Sequence, residues 1–326
     1  MDSKFWKNKN VLITGYEGFL GSNLTKALLD LRANIYGLDI LTHRKRTILS
    51  KNDFHNISII KGSVEDFSLV AKIIKRNKIE IIFHLAAKSL VGQGLQRPLR
   101  TFSTNIKGTW NILEASRQNN SVKAIVIASS DKAYGSHKNL PYREDAPLKG
   151  IHPYDVSKSC ADLISYAYYH TYNLPVAVTR CGNIYGPGDF NFSRIIPDAI
   201  RCALSGNTLL IRSNGRFIRD YIFVGDIVNG YILLAEKLQK LNLGGEAFNF
   251  SDENPISVIE LVKRIYKIVG KEKNYKILNQ ARFEIKRQYL ASSKARRVLS
   301  WKPKIALSVG LRKTVAWYLR FLRISE

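Results

Sequence analysis

Cysteine is scarce in this chain: 326 residues carry three, Cys160, Cys181 and Cys202, an odd number without close spacing. That excludes a disulfide framework and a structural zinc site, and points to reduced thiols in a cytoplasmic protein. Long apolar runs are missing too. None approaches the roughly 18 residues that a membrane span needs. The opening residues, MDSKFWKNKN, lead straight into a strand with no apolar signal region. There is no internal repeat and no low-complexity linker. Acids are few, with 26 Asp and Glu against 51 Lys and Arg, for a net charge of +25. Residues 255–326 alone hold 18 Lys and Arg against four Glu. Such a surplus is either a nucleic-acid footprint or a solvated face that attracts an anionic substrate. Here the basic residues alternate with helix-spaced apolar ones and form no uninterrupted arm, so the second reading is adopted.

What is present is ordinary globular material, 45% hydrophobic and 10% aromatic, enough for a large core and one or two domains. Short β-rich runs recur: NVLITG, NIYGLDI, ISIIKG, IEIIFHLAA, KAIVIASS and PVAVTR. Stretches of helical period lie between them, such as LGSNLTKALLDL and TNIKGTWNILEASRQ. Near-continuous apolar strands alternating with helices predict a doubly wound α/β fold, a parallel sheet covered on both faces, with ligands at the carboxyl ends of the strands. After about residue 185 the pattern loosens, and the helical stretches SVIELVKRIYKIV and SVGLRKTVAWYLRFL predict a smaller mixed α/β lobe. The expected division is a nucleotide-binding domain over 1–183, to which 220–240 returns, and a substrate lobe over 184–219 and 241–326.

The stretch VLITGYEGFLGSNL sets Gly15, Gly18 and Gly21 between a strand and a helix, with Phe19 and Leu20 opening that helix. Glycines there permit a tight turn and let the backbone approach a pyrophosphate at the helix N-terminus. Asp39 ends the second strand 18 residues after Gly21, placed to accept hydrogen bonds from an adenosine ribose. That favours NAD over NADP, although His43, Arg44, Lys45 and Arg46 follow and could hold a 2′-phosphate. Further along, VIASSDKAYG ends a buried strand on Ser129, Ser130, Asp131 and Lys132, an acid and a base side by side. Next comes YDVSK, with Tyr154 and Lys158 four residues apart on one helix face. An ammonium near a phenol favours the phenolate and makes the tyrosine a usable base.

The spacing Gly-x-x-Gly-x-x-Gly followed by Tyr-x-x-x-Lys resembles the extended short-chain dehydrogenase/reductase superfamily, and the likeness covers essentially the whole chain. HLAAKSL resembles its fourth-strand loop over the cofactor and Asn105 in STNIKGT its central asparagine, while RCGNIYGPGD, RDYIFVGDI and SSKARRVLSWKPK resemble its nucleotide-sugar branch. Ser130-Asp131-Lys132, with FWKNKNVLITG and GDFNFSRIIPD, is most similar to the CDP-glucose 4,6-dehydratases. The resemblance implies a Rossmann fold, NAD, and a nucleotide-diphosphate sugar as substrate. It implies cofactor contacts at Gly15, Gly18, Phe19, Leu20, Gly21, Asp39, Ser63, Val64, Leu85, Ala86, Ala87, Asn105, Tyr154 and Lys158. Substrate contacts fall at Lys88, Ser89, Asn183, Arg194 and Arg219. Ser130, Asp131, Lys132, Tyr154 and Lys158 would be catalytic, with Asp131 the acid and Lys132 the base of an elimination. Both roles need the neutral forms, which desolvation favours and mutual attraction as ions opposes. A homodimer on the helices near 98–117 and 153–172 is also implied, and no metal.

Some residues depart from the family pattern. Ser63 replaces a usual Asp near the adenine, KSLVGQG lacks the His and Arg of the dTDP-glucose loop, and Ala291 replaces a usual Asp. His84 and His152 are read as packing or surface residues, and Trp301 and Trp317 as core. Two rival functions were weighed: a nucleotide-sugar 4-epimerase on the same fold, and a non-enzymatic RNA-binding protein using the basic C-terminal third.

Overall fold

In the computed structural model, which describes residues 2–281 and 284–323, seven strands form one parallel sheet. They are β1 (Asn10–Thr14), β2 (Asn34–Asp39), β3 (Ile57–Lys61), β4 (Ile81–His84), β5 (Ala124–Ala128), β6 (Val176–Cys181) and β7 (Ala247–Phe250). Their order is β7-β6-β5-β4-β1-β2-β3, every neighbouring pair parallel. The direction of winding reverses between β1 and β4, so a crevice opens at their carboxyl ends, where a doubly wound sheet binds its ligand.

Alternation along the strands accounts for the layers. Val11 and Ile13 of β1 point to one face and Leu12 to the other, and all are fully buried. The first face is covered by α1 (Phe19–Asp30), and the second by α2 (Phe67–Arg76), α3 (Gly108–Arg117) and α4 (Pro153–Tyr172). A separate core joins α5 (Ile195–Ser205) with Tyr185, Leu209 and Tyr221. The chain then returns to the first face through α6 (Val224–Lys237), which packs on α1. It leaves again into α7 (Val258–Val269) and, near its end, α8 (Leu307–Arg323), both of which belong to the second core.

The structure departs from the expected division after residue 240. β7 pairs with β6 at the edge of the main sheet, and Ala295, Leu299 and Trp301 join the core of its first face. Four residues, AFNF, are too few to show a period, which is why this strand was not anticipated. The stretch TNIKGTWNILEASRQ also differs from one plain helix. A helix over Pro98–Phe102 passes into a π turn, Ser103–Lys107, before α3. That wider turn swings Asn105 inward, where it is 2% exposed.

Candidate active site

The first strand ends in a tight glycine loop. Gly15 has φ +71° and donates to Leu38 O at 2.8 Å. A Cβ on Gly21 would sit 2.0 Å from Gly15 O, and one on Gly15 would sit 3.0 Å from Ala86 Cα, so neither position admits a side chain without moving backbone. Gly18 is the N-cap of α1 and contributes no side-chain bond to it. The N–H groups of Phe19 and Leu20 are therefore left to an anion, at the positive end of a 12-residue helix. This cradle fits a dinucleotide's pyrophosphate.

Around it the adenosine end is built from charges. Asp39 is buried, and it accepts from Leu41 N at 3.2 Å and from Arg44 Nη2 at 3.0 Å. Arg44 is held there by a residue the sequence reading passed over, Glu17. Its carboxylate accepts from Tyr16 Oη at 2.6 Å, His43 N at 2.7 Å and Arg44 N at 2.6 Å. An acid inside a glycine loop was the signal available. At the end of β3, Ser63 Oγ accepts from Glu65 N at 3.1 Å, and Val64 is buried against Gly108.

The end of β4 is pinned by Thr14, also unanticipated. Its Oγ1 accepts from Leu85 N and Ala86 N, each at 3.1 Å, and shares a hydrogen bond with His84 Nδ1 at 2.9 Å. Burial pushes the His84 imidazole down to about 3, so it stays neutral and packs. Beyond Ala87, Asn105 clamps the next residue: its Oδ1 accepts from Lys88 N at 2.8 Å and its Nδ2 donates to Lys88 O at 3.1 Å and to Ser157 Oγ at 2.9 Å. The charged neighbours of the Lys88 side chain are Arg100, Glu65, Arg44 and Asp39. Ser89 is exposed beside it.

The chain leaves the sheet after Ala128, and a short helical turn, Asp131–Tyr134, brings the acid and the base inward. Their side chains are 4% and 19% exposed, with Lys132 Nζ 3.5 Å from Asp131 Oδ2. A solvated surface pair would be far more open. Ser130 Oγ donates to Asp131 Oδ1 at 3.0 Å and accepts from Lys132 N at 3.2 Å. Two further carboxyls approach this pair. Burial raises Asp155 to about 6 and Asp220 to about 7, and Lys132 opposes both shifts. Among the described residues, one oxygen of each of Asp131, Asp155 and Asp220 finds no hydrogen-bond partner.

Tyr154 begins α4 just after Pro153, which opens the helix without needing an N–H. Burial pushes its phenol up to about 12. The nearby Ser130 hydroxyl and the charge of Arg194 oppose that rise, while Asp131 and Asp155 add to it. The expectation that Lys158 would lower this phenol needs correction. Lys158 Nζ donates instead to Ala128 O at 2.6 Å, and burial depresses its own ammonium to about 8. Resting Tyr154 is a protonated phenol.

The remaining substrate candidates sit on the second lobe's side of the crevice. Arg194 lies 5.9 Å from the Phe19 ring, at the head of α1, and bonds Asp189 Oδ2 at 3.1 Å. Arg219 is buried, with Nη1 on Ile218 O at 2.9 Å and Nη2 3.6 Å from the half-exposed Glu284. Asn183 Nδ2 donates to Asp220 O at 3.2 Å, one residue from Arg219. Missed altogether was Gln288, which is fully buried and bonds Lys132 Nζ through its side-chain oxygen. It stands 156 residues away in an irregular stretch, and no local pattern marks it.

Comparison with known proteins agrees with this geometry. The profile of the family described as GDP-mannose 4,6 dehydratase matches residues 12–314. A CDP-glucose 4,6-dehydratase of Salmonella typhimurium is 33% identical over 99% of this chain and 94% of its own length. The crystal structure of a dTDP-glucose 4,6-dehydratase from Bacillus anthracis, in complex with NAD, superposes with a TM-score of 0.85 at 31% identity, covering 96% of this chain and 97% of that one. A UDP-glucose 4-epimerase from Thermotoga maritima, crystallised with UDP-glucose, gives a TM-score of 0.86 at 28% identity, covering 96% and 99%. The cofactor of this fold and site is NAD. Among the described residues no helix is long and apolar enough to cross a membrane.

Proposed function

The chain belongs to the GDP-mannose 4,6-dehydratase family of nucleotide-sugar enzymes, and from that premise we propose that it is an NAD-dependent nucleotide-diphosphate-hexose 4,6-dehydratase, with CDP-glucose its leading substrate. The observation that carries the reading is the buried Asp131–Lys132 pair, bonded through Ser130 into the surroundings of Tyr154. A 4-epimerase on this fold needs no acid–base pair there.

When bound, NAD supplies a centre that takes a hydride from C4 of the hexose and returns it at C6. Gly15, Gly18 and Gly21 would hold its pyrophosphate, and Asp39 its adenosine ribose. Tyr154, once deprotonated, accepts the C4 hydroxyl proton. The C4 ketone acidifies the C5 hydrogen, which Lys132 removes as the neutral amine. Asp131 gives a proton to the departing C6 hydroxyl, which leaves as water. With the hydride at C6, the Lys132 ammonium gives its proton back to C5, and the product is a 4-keto-6-deoxy sugar nucleotide. The test is a panel of CDP-, GDP-, dTDP- and UDP-hexoses followed by mass spectrometry. Loss of water from CDP-glucose is expected, whereas a product of unchanged mass would make the protein an epimerase.

Arg219 is proposed to grip the diphosphate, its planar fork suited to phosphate oxygens and Asn183 close by. Arg219→Ala should raise KM about 10- to 150-fold, the equivalent of roughly 1.5–3 kcal/mol for a lost bond to a charged group, with kcat little changed. A KM at the wild-type value would remove Arg219 from the site.

The protein is also proposed to be a homodimer. Leu99 (82% exposed), Trp110 (43%), Leu163 (60%) and Tyr166 (56%) stand out on the helices over 98–117 and 153–172. Burying one such side chain contributes about 1.5–3 kcal/mol. Light scattering should give a dimer's mass at micromolar concentration and a monomer's for Leu163→Glu. A wild-type monomer would refute the assignment.

A further inference from the structure

Gln288 ends a two-residue strand, Arg287–Gln288, that runs parallel to Ile218–Arg219 and sets Gln288 opposite Arg219. Its side chain is wholly buried and leaves the substrate lobe to reach the turn after β5. The amide's orientation is settled by its partners. Nε2 donates to Asp131 O at 2.8 Å, and a backbone carbonyl can only accept, so the NH₂ group must face it. Oε1 is thereby turned toward Lys132 and accepts from Nζ. From another side Asp131 Oδ2 lies 3.5 Å from the same nitrogen.

The amine nitrogen of lysine is tetrahedral. Its own Cε takes one direction, Gln288 Oε1 accepts an N–H in a second, and the Asp131 carboxylate faces the nitrogen at 3.5 Å without a hydrogen bond. We propose that Gln288 is a positioning residue for Lys132. It holds one N–H bond while the Asp131 carboxylate attracts another, so that the lone pair of the neutral amine is turned toward the C5 hydrogen of the hexose. The inference rests on the reading of Lys132 as the base of the elimination. It adds that the base is oriented by a residue of the substrate lobe, paired in register with the proposed diphosphate ligand Arg219. Without Gln288 the head group rotates among staggered positions, and only a fraction of them present the lone pair.

Other charged groups acting on this region include Asp155 on α4, Asp220 next to Arg219, His152 beside Asp155 and Arg194, which acts on Tyr154. Neither carboxyl replaces the amide. Each of those carboxyls, like Asp131, has an oxygen without a hydrogen-bond partner among the described residues, while the Gln288 amide is bonded at both ends.

The experiment compares Gln288→Leu, Gln288→Glu and Lys132→Ala in single turnover with the nucleotide hexose that loses water in the panel above. It follows oxidation at C4, deuterium exchange at C5 and loss of water. In Gln288→Leu, oxidation and KM should stay within about 2-fold of wild type, while exchange and water loss fall together by about 10- to 100-fold, a part of the roughly 10²- to 10⁴-fold that a well-placed base contributes. Gln288→Glu keeps an acceptor at the same place and adds a negative charge, which favours the ammonium. Its elimination should recover at higher pH, with the rising limb displaced upward by about one pH unit and the oxidation profile unmoved. That variant is nearly isosteric and keeps the test open if Gln288→Leu folds poorly. Equal losses in oxidation and elimination would mean a structural role and overturn the inference. So would wild-type elimination in Gln288→Leu, or a Gln288→Glu profile that does not move, with Lys132→Ala blocked. If Lys132→Ala itself eliminates at the wild-type rate, the assignment of the base fails first.

Discussion

Replacing Lys132 with alanine is expected to leave the first half of the reaction running and to stop the second. Oxidation at C4 needs a proton acceptor at the C4 hydroxyl and a hydride acceptor, and nothing at C5 or C6. Lys132 touches neither requirement. Its nitrogen is tied to Gln288 and lies beside Asp131. In single turnover the reduced cofactor should therefore form and persist, together with a 4-keto hexose that has kept its C6 oxygen. Deuterium exchange at C5 and loss of water should fall by about 10²- to 10⁴-fold. Asp131→Asn should be blocked at water loss, because an amide cannot pass an acidic proton to the leaving hydroxyl. C5 exchange and dehydration at the wild-type rate in Lys132→Ala would mean that the charges of SSDKAYG serve something other than catalysis.

Tyr154→Phe should halt the reaction one step earlier, with no reduced cofactor and a loss of similar or larger size. The pH dependence follows from the resting phenol. A folded tyrosine at about 12 is almost wholly protonated near neutrality, and its competent form is the phenolate. The rate of C4 oxidation should thus rise with pH across 6–9, not fall. Lys158 changes charge inside that window, ammonium below about 8 and amine above it. If the lysine assists the phenolate by charge, the rise should flatten as pH passes 8. An oxidation rate independent of pH, or one retained in Tyr154→Phe, would place the first base elsewhere.

What could be read from the chain depended on how local the cause was. Gly15, Gly18 and Gly21 act within a single turn, and the strand and helix around them are contiguous, so the cradle was plain. Tyr154 and Lys158 share a helix face, so their juxtaposition was plain as well. Their electrostatics were not. Whether Lys158 serves the phenol depends on where its nitrogen finds an acceptor, and the Ala128 carbonyl 30 residues earlier provides one. Glu17 holds residues 26 and 27 positions further on, and its role appears only once β2 lies against β1. Gln288 belongs to the same class at still greater distance. β7 was hidden for a different reason, its brevity. Local chemistry was legible; long-range side-chain contacts and a four-residue edge strand required the fold.

The wide turn at Ser103–Lys107 bears on how long this part of the chain can be. Two demands meet across it. Asn105 must face the backbone of Lys88, while Ile112 and Leu113 further along must face the sheet, where both are wholly buried. One residue of ordinary helix is a rotation of about 100°, so the supernumerary residue of a π turn sets the angular offset between those two faces. A chain one residue shorter here would form a smoother helix and turn the asparagine away from the loop, or keep the asparagine and expose part of its core. The helix can lengthen or shorten at its ends with little consequence. In its middle its length is fixed by geometry on both sides, and a single-residue deletion between Ser103 and Lys107 would act at the cofactor loop and in the core at once.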